Sequence, residues 1–391
     1  EQAQNDLYSN IQTMKIGVIG AGRLGICFAL LCEQAGYDVL VSDIREDYVA
    51  DLMEKKINTN EPDVQEFLSR SINFSATTSN EKVIQECDII YTLVATPSLP
   101  SGDYDVSAVW RVVDDIIESG VQGKSFVVGC TTNPGDCEMF QDRLAKHGWE
   151  TFYNPEFIAQ GSIIKDLQNA DMVLIGGKWG RTFDKLSELY HKIQVTKPQI
   201  SLMSRTASEV VKIATNCFLT TKISYANMMG QVLALDGMED EIDTVLDAIG
   251  ADSRVGKKYL KFGYGFGGPC LPRDNRAFAA YAKSLGVEYN LGATTDSFNE
   301  AHNKFLLDYV ITKNHTSLPF YFDYVSYKKG TDILTESQQF KLCKSLLDEG
   351  YTVYINDNET ILNRVKDTLY DQYYDRVKFG EPKEKVYKVD I

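Results

Sequence analysis

Between Met14 and Ile44 the chain reads "MKIGVIGAGRLGICFALLCEQAGYDVLVSDI", the pattern of a strand, a tight turn, a helix and a second strand. Gly20, Gly22 and Gly25 give G-x-G-x-x-G. Glycines at these places permit the turn and let a pyrophosphate approach the backbone N–H groups at a helix N-terminus. Asp43 closes the second strand roughly 20 residues on, where a carboxylate can accept hydrogen bonds from the ribose hydroxyls of a dinucleotide. The glycine pattern alone is a weak signal; strand, helix and acid in the right order make dinucleotide binding the expectation. A carboxylate at Asp43 repels a 2′-phosphate and favours NAD over NADP, while nearby Arg45 works against that discrimination.

The alternation continues downstream. "CDIIYTLVA", "SFVVGCT", "ETFYNPEF" and "DMVLIGG" read as short buried strands, with "VSAVWRVVDDIIESG" and "GDCEMFQDRLAKHG" as helices. Such an order predicts a mainly parallel, doubly wound sheet over residues 14–205, with ligands at the carboxyl ends of its strands. Three strand-end segments, "ATPSLPSGDYD", "CTTNPGD" and "NPEFIAQGS", are rich in turn formers and polar groups, and together suggest one wall of a site. From Thr206 to about Leu235 the sequence reads as one long helix, apolar almost all round, which predicts burial between domains or subunits. Lys212 and Asn216 lie four apart and share a face of it. Shorter helices fill residues 206–302, and residues 303–391 return to α/β character, a second, reduced nucleotide-type domain whose first strand lacks a glycine-rich turn. The expected architecture is α/β, two Rossmann-like doubly wound domains joined by a long central helix and a small helical domain. The tail from Tyr370 is too weakly patterned to carry a role.

Composition narrows the function. A formal net charge of -15 argues against a nucleic-acid or anionic-membrane surface, both of which need a basic face, so an anionic ligand must be met by a local cluster of donors. No stretch approaches the roughly 18 consecutive apolar residues of a membrane span. The eight cysteines are scattered without a C-x-x-C pair, which favours neither a metal site nor a disulfide framework and suits a reducing, cytoplasmic compartment. Residues 1–13 are polar and precede a strand pattern that starts at Met14, so they read as a leader or an appended remnant. One cysteine stands apart: Cys270, in "KFGYGFGGPCLPRD", follows a run of glycines and aromatics. Pro272 reads as a first helical residue, which sets Cys270 at the positive end of a helix, where a thiolate is favoured.

On "GVIGAGRLG", "ATP" at 95–97, "CTTNPG" at 130–135, "NPEFIAQGSIIKDLQNADMVLIG" at 154–176, "SEVVKIATNCFLTTKIS" at 208–224, "DSRVGKKYLKFGYGFGGPCLPRD" at 252–274 and "YKKGTDILTES" at 327–337, the chain resembles the UDP-glucose/GDP-mannose dehydrogenase family. The motifs follow the family's order over most of the chain and fade in the last fifty or so residues. The resemblance implies a four-electron oxidation of a nucleotide-sugar C6 alcohol to a carboxylate, with two NAD consumed per turnover. Cys270 matches the family's nucleophile, which captures the aldehyde as a thiohemiacetal that a second oxidation turns into a thioester.

Other roles carry over position by position. Lys212 and Asn216 match a pair that stabilises the oxyanion. Asp274 matches the carboxylate that, with a water near Thr131, handles the alcohol proton, and Glu156 matches the glutamate of thioester hydrolysis. Thr96 and Thr131 join Gly20, Gly22, Gly25 and Asp43 in the cofactor set. Phe157, Ile158, Tyr259, Lys261, Gly267 and Lys328 fall in the region that binds the nucleotide-sugar, where the glycines from Gly263 on would let backbone approach a sugar ring. Arg254 matches an arginine that reaches a neighbouring subunit's substrate, so a homo-oligomer, at least a dimer, is implied.

Four positions depart from the pattern. Gln160 replaces a glutamate and removes a carboxylate beside the hydrolytic step, and Thr335 replaces an arginine expected near the cofactor. Arg273 replaces a lysine and Cys130 a serine, both tolerable changes. The run "DSRVGKKYLK" resembles the branch that oxidises UDP-glucose; oxidation of GDP-mannose is the alternative within the family. A 3-hydroxyacid dehydrogenase shares the glycine fingerprint, but Cys270 in its motif counts against that reading. A nucleotide-sugar binding protein without turnover is the alternative that Gln160, Thr335 and the faded C-terminal match leave open.

Overall fold

A computed structural model describes residues 14–158 and 161–391; the expected leader at 1–13 and the departure at Gln160 lie outside the described residues. The chain divides into two compact units, with the boundary between Lys212 and Ile213.

The first unit is built as β1 (Lys15–Ile19), α1 (Arg23–Gln34), β2 (Asp38–Ser42), α2 (Glu46–Met53), α3 (Val64–Arg70), β3 (Phe74–Thr77), α4 (Asn80–Glu86), β4 (Ile89–Thr92), α5 (Ser107–Glu118), β5 (Ser125–Val128), α6 (Asp136–Leu144), β6 (Glu150–Tyr153), α7 (Ile163–Gln168), β7 (Met172–Gly176), α8 (Arg181–Ile193) and β8 (Gln199–Met203), then the start of α9 (Arg205–Leu235). The strands form one sheet in the order β3-β2-β1-β4-β5-β6-β7-β8, parallel throughout except between β6 and β7. Its central strands carry apolar side chains on both faces, as a sheet covered on both sides requires. Ile16, Val18, Val39, Val41 and Val127 point to one layer with α1, α7 and α8. Ile19, Leu40, Ile90, Phe126 and Val128, the alternate residues of the same strands, point to the other with α4, α5 and α6. The doubly wound expectation holds. Two strands escaped the sequence reading, β3 and β8, and both are edge strands: β3 is half-buried along its length and β8 is nowhere fully buried.

The second unit holds most of α9, then α10 (Ile242–Ala251), α11 (Leu271–Ser284), α12 (Leu291–Lys313), β9 (Phe320–Phe322), α13 (Gln338–Asp348), β10 (Val353–Ile355), α14 (Glu359–Tyr373), β11 (Val377–Phe379) and β12 (Tyr387–Lys388). Its sheet runs β11-β10-β9-β12, all parallel, around a core of Leu306, Phe320, Phe322, Leu342, Ile355 and Leu369. The tail that looked unpatterned supplies both outer strands. They span three and two residues, too short for a period-2 signal.

α9 was expected to be buried between domains or subunits; within this single chain Phe218, Tyr225, Met228, Val232 and Leu235 are exposed, Phe218 by 64% and Leu235 by 78%. Among the described residues no helix is long and apolar enough to cross a membrane.

Candidate active site

In the first unit the register fixes one functional edge. Ile19 pairs with Ser42 and with Thr92, Thr92 with Val128, and Val128 with Tyr153. The residues just beyond these pairs therefore emerge together at the carboxyl ends of β1, β2, β4, β5 and β6, and the strand order reverses between β1 and β4, where doubly wound sheets bind ligands. Gly20, Asp43, Thr96, Thr131 and Glu156 all follow this edge.

The three fingerprint glycines have distinct reasons. Gly20 has φ +97, and a Cβ there would sit 2.8 Å from Leu93 O; a Cβ on Gly25 would lie 2.0 Å from Gly20 O. Gly22 has nothing within 4 Å of a Cβ and is the N-cap of α1, with no side-chain cap. Its missing side chain leaves open space at the positive end of that helix, the cradle that a pyrophosphate needs. Burial opposes the charge of Asp43, but the hydrogen bonds and charge of Arg45, with the Ala21 N–H, outweigh it and hold the carboxyl below its ordinary range. Arg45 grips it at 2.8 and 2.9 Å and lies 4.0 Å over the Tyr48 ring. The Arg45 backbone N–H also donates, at 3.1 Å, so with the Ala21 N–H these donors use the carboxylate's about four acceptor positions, and ribose hydroxyls would take the place of the Arg45 guanidinium. These residues fit NAD.

The next loops are held from the long helix. The buried Glu209 carboxylate accepts from Thr132 Oγ1 at 2.7 Å, Gly135 N–H at 2.6 Å and Cys137 N–H at 2.9 Å. It thereby caps α6, whose N-cap Gly135 has no side chain to do so. Burial raises its pKa against these bonds. One turn earlier, buried Arg205 donates to Thr151 O, Glu138 and Gln141. Asn133 links the same loop to the backbone of Tyr104 at 2.7 and 3.0 Å. So the loops bearing Thr96 and Thr131, both buried, are fixed to each other and to α9. Lys212 donates to the backbone oxygen of Glu156 at 2.5 Å and stands 4.6 Å over the Phe157 ring. The Glu156 carboxyl meets Tyr190 OH at 2.6 Å, and burial, only partly offset by Tyr190 and Lys212, pushes its pKa up to about 7. Ile158 is half-buried against the apolar layer that includes α1.

In the second unit, seven of the eight cysteines of the chain being buried, Cys270 is the part-exposed one. It is the N-cap of α11, which starts at Leu271, so Pro272 is its second residue and not its first as expected. Asp274, one turn on, is fully buried and accepts from Asn216 Nδ2 at 2.6 Å and Arg273 Nε at 3.2 Å. Thr220, one turn beyond Asn216, donates to Asn275 at 2.8 Å, so α9 aligns α11 through two successive contacts.

Three of the glycines before Cys270 are closely packed against neighbouring segments. A Cβ on Gly265 would lie 2.1 Å from Asn299 Oδ1, on Gly267 2.3 Å from Glu336 O, and on Gly268 2.5 Å from the Tyr327 ring. This loop is packed against α12 and the segment before α13, which fixes Cys270 through its neighbours. Tyr259 has φ +63 and is exposed, as are Lys261 and Lys328. Arg254 is exposed and pairs with its neighbour Asp252 at 2.7 Å. Thr335 is also exposed.

Sequence reading missed Glu209, Arg205, Tyr190 and Asn154. A charged residue within a largely apolar helix was a usable signal for Glu209; nothing local marks Tyr190.

Known proteins place the chain. The NAD binding domain of the UDP-glucose/GDP-mannose dehydrogenase family matches residues 14–194, and the central domain of that family residues 206–301. The UDP-glucose 6-dehydrogenase AglM of Haloferax volcanii is 28% identical, over 87% of this chain and 82% of its own. A UDP-glucose dehydrogenase structure from Pyrobaculum islandicum superposes with a TM-score of 0.84 at 26% identity, covering 95% of this chain and 87% of that one. A UDP-D-ManNAc dehydrogenase from Pyrococcus horikoshii shares the fold, with a TM-score of 0.76 at 24% identity over 88% and 83% of the two chains.

Proposed function

This chain belongs to the UDP-glucose/GDP-mannose dehydrogenase family, and from that premise we propose that it oxidises UDP-glucose to UDP-glucuronate through a covalent intermediate on Cys270. The observation that carries the reading is Cys270 itself, part-exposed at the N-terminus of a 14-residue helix. The positive end of the helix dipole there stabilises negative charge on its sulfur.

NAD, when bound, supplies the hydride acceptor for both oxidations. Gly20, Gly22 and Gly25 would cradle its pyrophosphate, Asp43 would take its ribose hydroxyls, and Thr96 and Thr131 would help to hold it. Asp274, with a water near Thr131, takes the proton of the C6 hydroxyl as the alcohol becomes an aldehyde. The Cys270 sulfur adds to the aldehyde carbon, and Lys212 and Asn216 stabilise the oxygen that gains charge. After the second oxidation the carbon is held as a thioester. Water then adds, Glu156 takes its proton, and the C–S bond breaks to return the thiolate and release the acid. Phe157, Ile158, Tyr259, Lys261, Gly267 and Lys328 hold the nucleotide-sugar.

A homodimer follows from the same reading, with Arg254 reaching the partner's substrate. The exposed apolar residues of α9 support it, since they repeat at spacings of 7, 3, 4 and 3, the period of a helix–helix seam. UDP-glucose is favoured over GDP-mannose by the "DSRVGKKYLK" run and by relatives such as AglM.

Cys270→Ala is expected to abolish UDP-glucuronate formation while UDP-glucose still binds with little change in Kd. Uronate production at the parent rate in that variant would remove Cys270 as nucleophile.

A further inference from the structure

The surroundings of Glu156 pose a problem in counting protons. Tyr190 OH lies 2.6 Å from Glu156 Oε1 and 2.7 Å from Asn154 Oδ1. Asn154 Oδ1 is fixed as an acceptor, because the Nδ2 of that side chain donates to Leu174 O at 2.9 Å. It also accepts from Tyr91 OH at 3.1 Å. A tyrosine hydroxyl has one proton to give. With Glu156 ionised, two acceptors compete for it. With Glu156 protonated the chain closes: the carboxyl O–H donates to the Tyr190 oxygen, and Tyr190 donates to Asn154.

We propose that Tyr190 is a positioning residue for Glu156, its single hydroxyl proton turning from Asn154 to the carboxylate when Glu156 gives up its own proton. One rotation about the C–O bond then serves both forms of the acid. Tyr91 makes the exchange inexpensive, since it still donates to Asn154 Oδ1 after Tyr190 has turned away.

The groups facing Glu156 agree with this. They are Tyr190 on α8, Tyr91 on β4, Cys32 on α1 and Lys212 on α9. Burial holds Tyr190, Tyr91 and Cys32 in their neutral forms, with pKa values well above the ordinary. Lys212 gives its hydrogen bond to the Glu156 backbone oxygen. The proton that moves near neutrality is therefore that of Glu156, and Tyr190 is the hydroxyl that follows it. The use of this switch in thioester hydrolysis rests on the reaction proposed above; the switch itself does not.

Infrared difference titration, with Glu156→Gln subtracted to isolate the protonated carboxyl band, reads the switch without turnover. The parent protein should lose the band with a midpoint near pH 7. Tyr190→Phe, which removes the donor to the carboxylate, should raise that midpoint by about one pH unit and move the band to higher frequency. Tyr91→Phe makes Asn154 depend more on the Tyr190 proton, so it should raise the midpoint by a few tenths of a unit, and it serves if Tyr190→Phe does not fold. A parent midpoint in the ordinary carboxylate range, or a midpoint in either variant that stays or falls, overturns the proposal. If the midpoint rises in the variants while the pH profile of single-turnover uronate release stays fixed, the switch stands and the hydrolytic role of Glu156 fails.

Discussion

At the scale of single residues, Glu156 carries the sharpest consequence. Its folded-state pKa of about 7 exceeds the ordinary 4.5, so the native state binds that proton more tightly than the unfolded chain does. Its contribution to stability is therefore full below pH 4.5 and is lost as pH rises through 7. Glu156→Gln stays neutral and escapes the loss. Denaturant titrations should find the variant more stable than the parent by ~3 kcal/mol at pH 8, with the difference shrinking toward pH 4.5. A gap that stays constant with pH would contradict the buried-acid account. Such a trade, an acid kept at a cost in stability, is expected of a group retained for chemistry. Its position, and that of Asn154, was legible from "NPEF"; the rest of its environment was not, because Tyr190 and Tyr91 come from α8 and β4.

At the scale of elements, α9 does two jobs that its sequence mixes. Its first turns hold Arg205, Glu209 and Lys212, which fix the strand-end loops of the first unit. Its later turns leave five large apolar side chains exposed. Each is worth ~1.5–3 kcal/mol when removed from water, so the stripe favours self-association. Replacing Val232 and Leu235 together by Lys should weaken a dimer at least ~100-fold and shift sedimentation toward monomer. Unchanged sedimentation would place the interface elsewhere. Helix periodicity revealed the element itself, but apolar residues all round hid which of them are exposed. The capping of α6 by Glu209 was beyond reach for another reason: it joins residues more than 70 positions apart. The Cys270 helix was read to within one residue, since proline is tolerated anywhere in a first turn. The glycines before it were read as special; the packing of Gly265, Gly267 and Gly268 against Asn299, Glu336 and Tyr327 was out of reach because those neighbours are remote in sequence.

At the scale of the whole molecule, the first unit was readable because its central strands are buried on both faces, and its edge strands were not. In the second unit β9, α13, β10 and α14 followed the expected α/β alternation, while β11 and β12 were too short to see. The chemistry assigned to the chain rests on a cysteine that a simple alcohol dehydrogenase does not need. The most direct measurement is therefore the NADH formed per molecule of limiting UDP-glucose, with NAD in excess and GDP-mannose run in parallel. Two NADH per UDP-glucose, with little from GDP-mannose, is the predicted result. One per UDP-glucose would mean that oxidation stops at the aldehyde and that Cys270 does not carry it onward, contradicting the account.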